Sequence, residues 1–194
     1  MTKYKVCLDF DDCETSPCNF SPWQITSFNR QHASFRDPLE FFVMLGYRSG
    51  PMMETVEFKR RLLEKTAFVL SYYEHGSCVW SLRGEGPVCR WDSTDVAGVL
   101  LYEPDVDECP LTPEELESDA RTFVNIYTAW ANGEIYGFRI SDESGEFIAS
   151  SWGYYDTDYM LREISNEMEP DAKIEWTGPA AYLGNGYKFA IEQG

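Results

Sequence analysis

Residues 112–168 constrain the fold most, because they predict a helix, a β-hairpin and a second helix in succession. Thr112 and Glu115 have the spacing of a capping box, and Pro113 suits the first helical position. Gly133 stands where a helix ends in a left-handed residue. Between these limits, one apolar stripe has helical spacing: Leu116, Ala120, Phe123, Tyr127 and Trp130. The segment therefore begins with an amphipathic helix.

A hairpin and a second helix follow. Residues 135–140 and 147–152 have the composition of two strands, and the turn residues 142–145 separate them. Asp156 or Thr157 is a suitable N-cap for a helix over 159–168. We therefore expect an α+β domain, a mainly antiparallel β-sheet with several helices packed against it.

The rest of the chain adds further elements to this unit. Strands are predicted at 3–10, 67–73, 79–82, 96–102, 173–176 and 187–191, and helices at 37–45 and 53–65. Residues 23–33 predict an irregular or short helical piece. No linker divides the sequence, so we expect one domain over 1–194, with an N-terminal subregion 1–66, a core unit 67–168 and a C-terminal hairpin 169–194.

The net charge is the most informative feature of the composition. Sixteen basic residues against thirty-three acidic ones give a net charge of −17. Binding to nucleic-acid phosphates needs lysine and arginine to displace counterions, so no direct nucleic-acid partner is expected. Anionic membranes repel such a chain as well. Two interpretations are left: attraction to a basic partner, or a charged coat that only maintains solubility.

Location and cysteine chemistry are predicted from absences in the sequence. The chain has no apolar run of membrane-spanning length and begins without the apolar region of a secretory signal, so a cytoplasmic protein is expected. The six cysteines show no C-x-x-C spacing, which favours reduced thiols over a zinc ribbon.

Two acidic segments are the candidate partner-binding residues. The first spans 103–119 and has no lysine or arginine. Its carboxylates either imitate the charge density of a nucleic-acid strand or form a plain solvated first turn of the helix. The second spans 9–14, which has a loose likeness to the start of a Ca²⁺ loop but lacks the later glycine and glutamate of one. The residues are Glu103, Asp105, Asp107, Glu108, Glu114, Glu115, Glu117, Asp119, Asp9, Asp11, Asp12 and Glu14.

Residues for catalysis are few. His75 with Asp92 and Asp95 forms an acid–base pair or a metal site if their loop folds back on the strand, and no pattern in the sequence fixes that geometry. Ser93 lies in no nucleophile elbow, and no cysteine has a placed histidine. We therefore assign no catalytic residue, metal or cofactor. Residues 152–155 suit either an aromatic binding platform or the core.

Four short motifs are similar to motifs of a known group of proteins. They are Tyr72-Tyr73-Glu74-His75-Gly76, Arg90-Trp91-Asp92-Ser93 leading into Val96-Ala97-Gly98, Asn132-Gly133-Glu134-Ile135-Tyr136-Gly137-Phe138, and Ser151-Trp152-Gly153-Tyr154-Tyr155. In that order the chain resembles a group of small acidic proteins carried by phages, prophages and plasmids, with Y-D-H-S-G, W-D-S-G-Q-V-G, G-x-V-Y-G and S-C-W-G-F-Y-G at corresponding places. The resemblance covers roughly 68–168. Departures include Glu74 for Asp, Thr94 for Gly and Ser151 for Cys.

The resemblance implies a genetic context and no catalytic residue. Accessory genes of mobile elements often encode inhibitors of host restriction or CRISPR systems, and several such inhibitors are acidic nucleic-acid mimics. We therefore expect a non-enzymatic inhibitor of a basic, nucleic-acid-binding host complex. Two alternatives stay open: a metal-dependent hydrolase or nucleotide-processing enzyme that uses His75, Asp92 and residues 9–14, and a protein-binding module that uses exposed aromatics. The sequence does not indicate an oligomeric state.

Overall fold

The structure is a computed structural model that describes residues 2–12, 15–104 and 111–185. Within these residues the strands are β1 (Lys3–Phe10), β2 (Trp23–Ser27), β3 (Ala67–His75), β4 (Ser77–Leu82), β5 (Ser93–Tyr102), β6 (Tyr136–Asp142), β7 (Phe147–Tyr154) and β8 (Lys173–Thr177). The α-helices are α1 (Pro38–Met44), α2 (Val56–Leu63), α3 (Pro113–Ala131) and α4 (Thr157–Asn166). Two mostly antiparallel sheets with helices packed on them confirm the expected α+β class.

The chain divides into two compact units, and both ends of the chain belong to the first. This first unit comprises Met1–Glu14 and Ala129–Gly194. Its sheet, sheet A, has the order β7-β6-β1-β8. Strand β1 pairs antiparallel with β6 and parallel with β8. Helix α4 covers one face, where Met160 and Ile164 pack in one core with Val6, Leu8 and the other buried residues of that face.

The second unit comprises Thr15–Thr128 and contains sheet B, of order β2-β5-β3-β4. Helices α1 and α2 supply Phe41, Phe42 and Phe58 to a core with Ala67 and Val99. Helix α3 lies against residues of the opposite face. Its Tyr127 ring is 6.1 Å from that of Trp80, and its Asp119 bonds Trp23. Sheet B is therefore buried on both faces, which explains why β5 has a run of buried residues rather than an alternating pattern.

Local signals predict several elements correctly. Strand β1 has the predicted bounds, Asp37 caps α1, and Asp156 caps α4. The prediction for 23–33 is wrong in its first part, because Trp23–Ser27 is a strand paired with β5 rather than an irregular or helical piece. The predicted strand at 187–191 lies outside the described residues.

Candidate functional site

The acidic stretch 103–119 is partly neutralised by basic residues distant in sequence. The Glu103 carboxylate accepts a hydrogen bond of 2.7 Å from Arg61. Glu117 lies between Lys65, at 2.8 Å, and Arg121, at 2.5 Å. Hydrogen bonds from these two cations lower the pKa of Glu117. The negative charge of both carboxylates is therefore largely compensated where a partner would meet it.

Two further acids of this stretch have structural roles. Glu115 accepts a hydrogen bond of 2.8 Å from the Thr112 backbone N–H, and this bond lowers its pKa. It completes the predicted capping box. Asp119 accepts a bond of 2.7 Å from the indole N–H of Trp23, a fully buried side chain. Glu114 is exposed in the first turn of α3. The other candidates of this stretch, Asp105, Asp107 and Glu108, lie outside the described residues.

A second group of carboxylates lies at one end of sheet A. Strand β1 ends there at Phe10, which pairs with Tyr136 of β6. Asp9 lies just before this end, and Asp11 and Asp12 follow it. The Asp11 N–H still donates to the Ile135 carbonyl at 2.8 Å. Strand β6 begins at the same end, after Glu134. Strand β7 finishes there as well, because Tyr136 pairs with Tyr154, and the chain continues into α4.

We call this group the acidic end. Its members are Asp9, Asp11, Asp12, Glu134, Asp156 and Asp158. Adjacent strands are about 4.8 Å apart, so the pairing of β1, β6 and β7 brings these residues to the same end of the sheet. Of the four candidates predicted in 9–14, Asp9, Asp11 and Asp12 lie within this group, and Glu14 lies outside the described residues.

Ion pairing distinguishes the two units. Of fourteen described carboxylates in the first unit, Glu143 alone has a lysine or arginine within 4.0 Å, namely Lys3 at 2.8 Å. Of fourteen in the second unit, seven have such a partner: Glu54, Glu57, Glu64, Glu85, Asp95, Glu103 and Glu117. Uncompensated negative charge among the described residues is therefore greater in the first unit, and six of its thirteen unpaired carboxylates belong to the acidic end.

Asp92 brings two other candidate residues together in the second unit. Its Oδ2 atom lies 3.5 Å from His75 Nδ1 and accepts a hydrogen bond of 3.2 Å from the Cys89 thiol. The sequence-predicted pair of His75 and Asp92 therefore exists, with a cysteine that sequence reasoning did not include. Asp95 is not part of it, because its carboxylate pairs with Arg83 at 2.6 Å. The carboxylate lies between thiol and imidazole, so His75 is not placed to take the thiol proton directly.

No set of three or more His, Cys, Asp or Glu side chains within residues 2–12, 15–104 and 111–185 is arranged to hold a metal ion. The other histidine, His32, has structural contacts. Its Nδ1 atom is 2.8 Å from Ser27 Oγ, and its ring packs on Tyr72 and Trp80 at centroid distances of 4.8 and 5.3 Å. Burial lowers the pKa of His32 and keeps the ring neutral.

The loop before β5 presents an exposed tryptophan. Trp91 is 83% exposed, and the Arg90 guanidinium lies 5.2 Å from its ring centroid. The loop is held by hydrogen bonds, among them Cys89 N–H to Ser93 Oγ at 2.8 Å and Glu74 N–H to the Asp92 carbonyl at 3.0 Å. Trp91 is thus a fixed apolar projection, a kind of side chain that often anchors a protein partner.

The sequence contained only part of this information. Glu134, Asp156 and Asp158 were not among the candidates, because they join Asp9, Asp11 and Asp12 only through strand pairing across more than a hundred residues. A prediction that β1 pairs with β6 would have found them.

Comparisons with protein-family models, with curated proteins and with solved structures give no match to this chain. Within the described part of the chain, no helix has both the length and the apolar character needed to cross a bilayer.

Proposed function

We propose that this protein is a non-enzymatic inhibitor, encoded by a phage or another mobile element, that acts in the host cytoplasm. It occupies the basic nucleic-acid channel of a CRISPR or restriction complex and presents carboxylates where that complex expects phosphates. The observation that supports this proposal is the acidic end, where six carboxylates at one end of sheet A have no lysine or arginine partner among the described residues. Unpaired charges of one sign attract an oppositely charged groove and speed association.

The acidic end takes the leading role in this proposal. In the stretch 103–119, Glu103 and Glu117 have basic partners and Asp119 is bonded to a buried indole, so these three carboxylates are less available to a partner. Asp11, Asp12 and Glu134 have no basic partner and are at least partly exposed. Their charge therefore contributes fully to attraction over about one Debye length, roughly 8 Å at physiological salt.

Capture from a host that carries both defence systems is the first test. The tagged protein is expected to retain a nuclease or surveillance complex, with an affinity that falls steeply as salt is raised. Recovery of no nucleic-acid-binding complex, or an affinity that is equal at low and high salt, contradicts the proposal.

Charge-neutral variants then locate the binding surface. The triple variant Asp11→Asn, Asp12→Asn, Glu134→Gln removes three charges from the acidic end. At about 0.5–1 kcal/mol for each lost contact, binding weakens roughly 10- to 100-fold. The matched control is Glu146→Gln, Glu167→Gln, Asp171→Asn, which removes three charges from the opposite end of the same unit. If both variants lose equal affinity, a diffuse charge coat is responsible and the acidic end is not the binding surface.

A protein-binding module that uses exposed aromatics is the second candidate, because Trp91 is so exposed on a hydrogen-bonded loop. For this candidate, Trp91→Ser abolishes capture of the partner while the acidic-end variant leaves it unchanged. The nucleic-acid mimic gives the opposite pattern.

A further inference from the structure

Sheet A has a second face that α4 does not cover. Its inward face carries Val6, Leu8 and the other core residues, and the alternate positions point the other way. Strand register assigns Cys7 and Arg139 to one cross-strand pair on this outer face, and Lys5 and Glu175 to another. No described helix of the first unit packs against these positions, and we call this surface the open face.

Four residues form a diagonal across the open face. Arg139 pairs with Cys7, and Lys5 lies two residues before Cys7 on the next strand. Lys173 pairs with Lys3, which precedes Lys5 by the same interval. Trp152 covers Gly137, two residues from Arg139 in the other direction. Each step crosses one strand and advances two residues, about 8 Å, so the line from Trp152 to Lys173 is roughly 25 Å long.

Trp152 lies on the sheet with part of its indole exposed. A Cβ atom built on Gly137 would be 2.0 Å from Cε3, 2.4 Å from Cδ2 and 2.7 Å from Cζ3 of that ring. The glycine therefore leaves the space that the indole occupies, and the side chain is still 45% exposed. An indole placed this way offers a stacking surface for another planar ring.

The cations of this acidic unit are segregated onto the open face. Of its five described lysines and arginines, four lie there: Lys3, Lys5, Arg139 and Lys173. Lys3 and Lys173 are directly opposite each other, an unfavourable pair of like charges. Glu143 bonds Lys3, whereas Arg139 and Lys173 have no described acidic partner within 4.0 Å. An anion laid along the diagonal would meet these two unpaired charges, and it would pass Glu175, which pairs with Lys5, and Asp9, which pairs with Gly137.

We propose that the open face binds a short single-stranded nucleic acid, with a base stacked on Trp152 and phosphates on Arg139, Lys5 and Lys173. An exposed indole beside a guanidinium favours a nucleotide over an acidic peptide, because bases stack on aromatic rings and phosphates accept the arginine fork. The net charge of −17 excludes long polyanions but not a segment confined to this diagonal. The site uses other residues than the proposed inhibition, but the two surfaces adjoin, because Asp9 of the acidic end pairs with Gly137 beneath Trp152.

The test is fluorescence anisotropy with a labelled oligothymidylate of about eight nucleotides, within the range of known single-strand sites. The full-length protein binds at low salt, and a slope of log affinity against log salt near −2 corresponds to three phosphate contacts. Arg139→Glu with Lys5→Glu reduces affinity at least about 10-fold, and Arg162→Glu, which changes a cation of α4, leaves it unchanged. Absence of binding by the wild-type protein overturns the proposal.

The stacking role has its own control. Trp152→Phe keeps an aromatic ring and retains most of the affinity, whereas Trp152→Ser loses about 10-fold. Circular dichroism establishes that both variants are folded, and Trp91→Ser controls for loss of an exposed tryptophan elsewhere. Equal binding by Trp152→Ser contradicts the stacking role. Displacement of the oligonucleotide by polyglutamate of equal charge shows that the face recognises acidic protein rather than nucleic acid.

One variant separates this proposal from the inhibitor function. Neutralising Asp11, Asp12 and Glu134 strengthens oligonucleotide binding, because it removes repulsion beside the diagonal. The same variant weakens capture of the host complex if the acidic end is the mimic. A gain in the first assay without a loss in the second supports the open-face site and contradicts the mimic. The reverse result contradicts the open-face site alone.

Discussion

Gly137→Ala tests the packing of Trp152 on sheet A. Gly137 is buried in β6, and an added methyl group would lie 2.0 Å from indole Cε3, well inside contact distance. Either the strand shifts or the indole leaves. Because Trp152 is 45% exposed, its departure forfeits roughly 100 Å² of buried apolar surface, or about 2.5 kcal/mol. A shift of the strand costs about 1–3 kcal/mol as overpacking.

A gain in backbone entropy opposes this loss. Alanine in a strand is favoured over glycine by about 0.5–1 kcal/mol. The net expectation is a loss of roughly 1–2 kcal/mol in the free energy of unfolding for Gly137→Ala. In a Trp152→Ala background the clash is absent, so the same substitution is neutral or stabilises by up to about 1 kcal/mol. The coupling energy between the two sites is therefore about 2 kcal/mol.

Urea unfolding of the four proteins, followed by far-ultraviolet circular dichroism, measures this double-mutant cycle. A coupling energy near zero would refute the reasoning, because the cost of the methyl group would then be independent of the indole. That result would also remove the stacking surface on which the open-face site depends.

Substitutions at three other positions test contacts in the second unit. Asp119→Ala leaves the buried Trp23 indole N–H without its acceptor and lowers the free energy of unfolding in urea by about 1–3 kcal/mol. Asp119→Asn retains an acceptor and is the control. Equal losses in the two variants contradict this role. Gly98→Ala places a methyl group 2.3 Å from the Thr26 carbonyl oxygen, a backbone atom that cannot rotate away. Thermal unfolding is therefore expected to show a loss of stability of about 3 kcal/mol or more. An unchanged Tm contradicts this expectation. His32 has a lowered pKa in the folded protein, so the unfolded chain binds its proton more readily and stability falls as pH drops below 6.5. His32→Gln removes that part of the pH dependence, and identical slopes for both proteins contradict it.

Local signals in the sequence identify elements well and their partners poorly. The capping box of Thr112 and Glu115 is correct because it depends on residues three positions apart. Trp23–Ser27 was missed because a five-residue strand beside turns has little signal of its own and is stabilised by pairing with β5.

The candidate site shows the same limit. Residues 103–119 contain no basic side chain, so the stretch was expected to be an uncompensated acidic face. Arg61 and Lys65 of the α2 region supply partners from about forty or more residues away, and no local pattern predicts that contact. The acidic end and the open-face diagonal likewise depend on the register of β1 with β6 and β8, which tertiary packing sets.

Strand β1 imposes an order on synthesis and folding. It lies between β6 and β8, whose residues are more than 120 positions later in the chain, so a ribosome must make most of the protein before β1 can pair. The inserted segment Thr15–Thr128 contains its own sheet and core, so it can fold before β1 has a strand to pair with. Pairing of β1 with β6 closes a long loop, and the entropic cost of that closure slows folding. Until β6 has been synthesised and has paired, the apolar residues Val6 and Leu8 are exposed to chaperones. A nascent chain stalled before residue 136 would therefore have a folded second unit and an unpaired β1 with exposed apolar side chains.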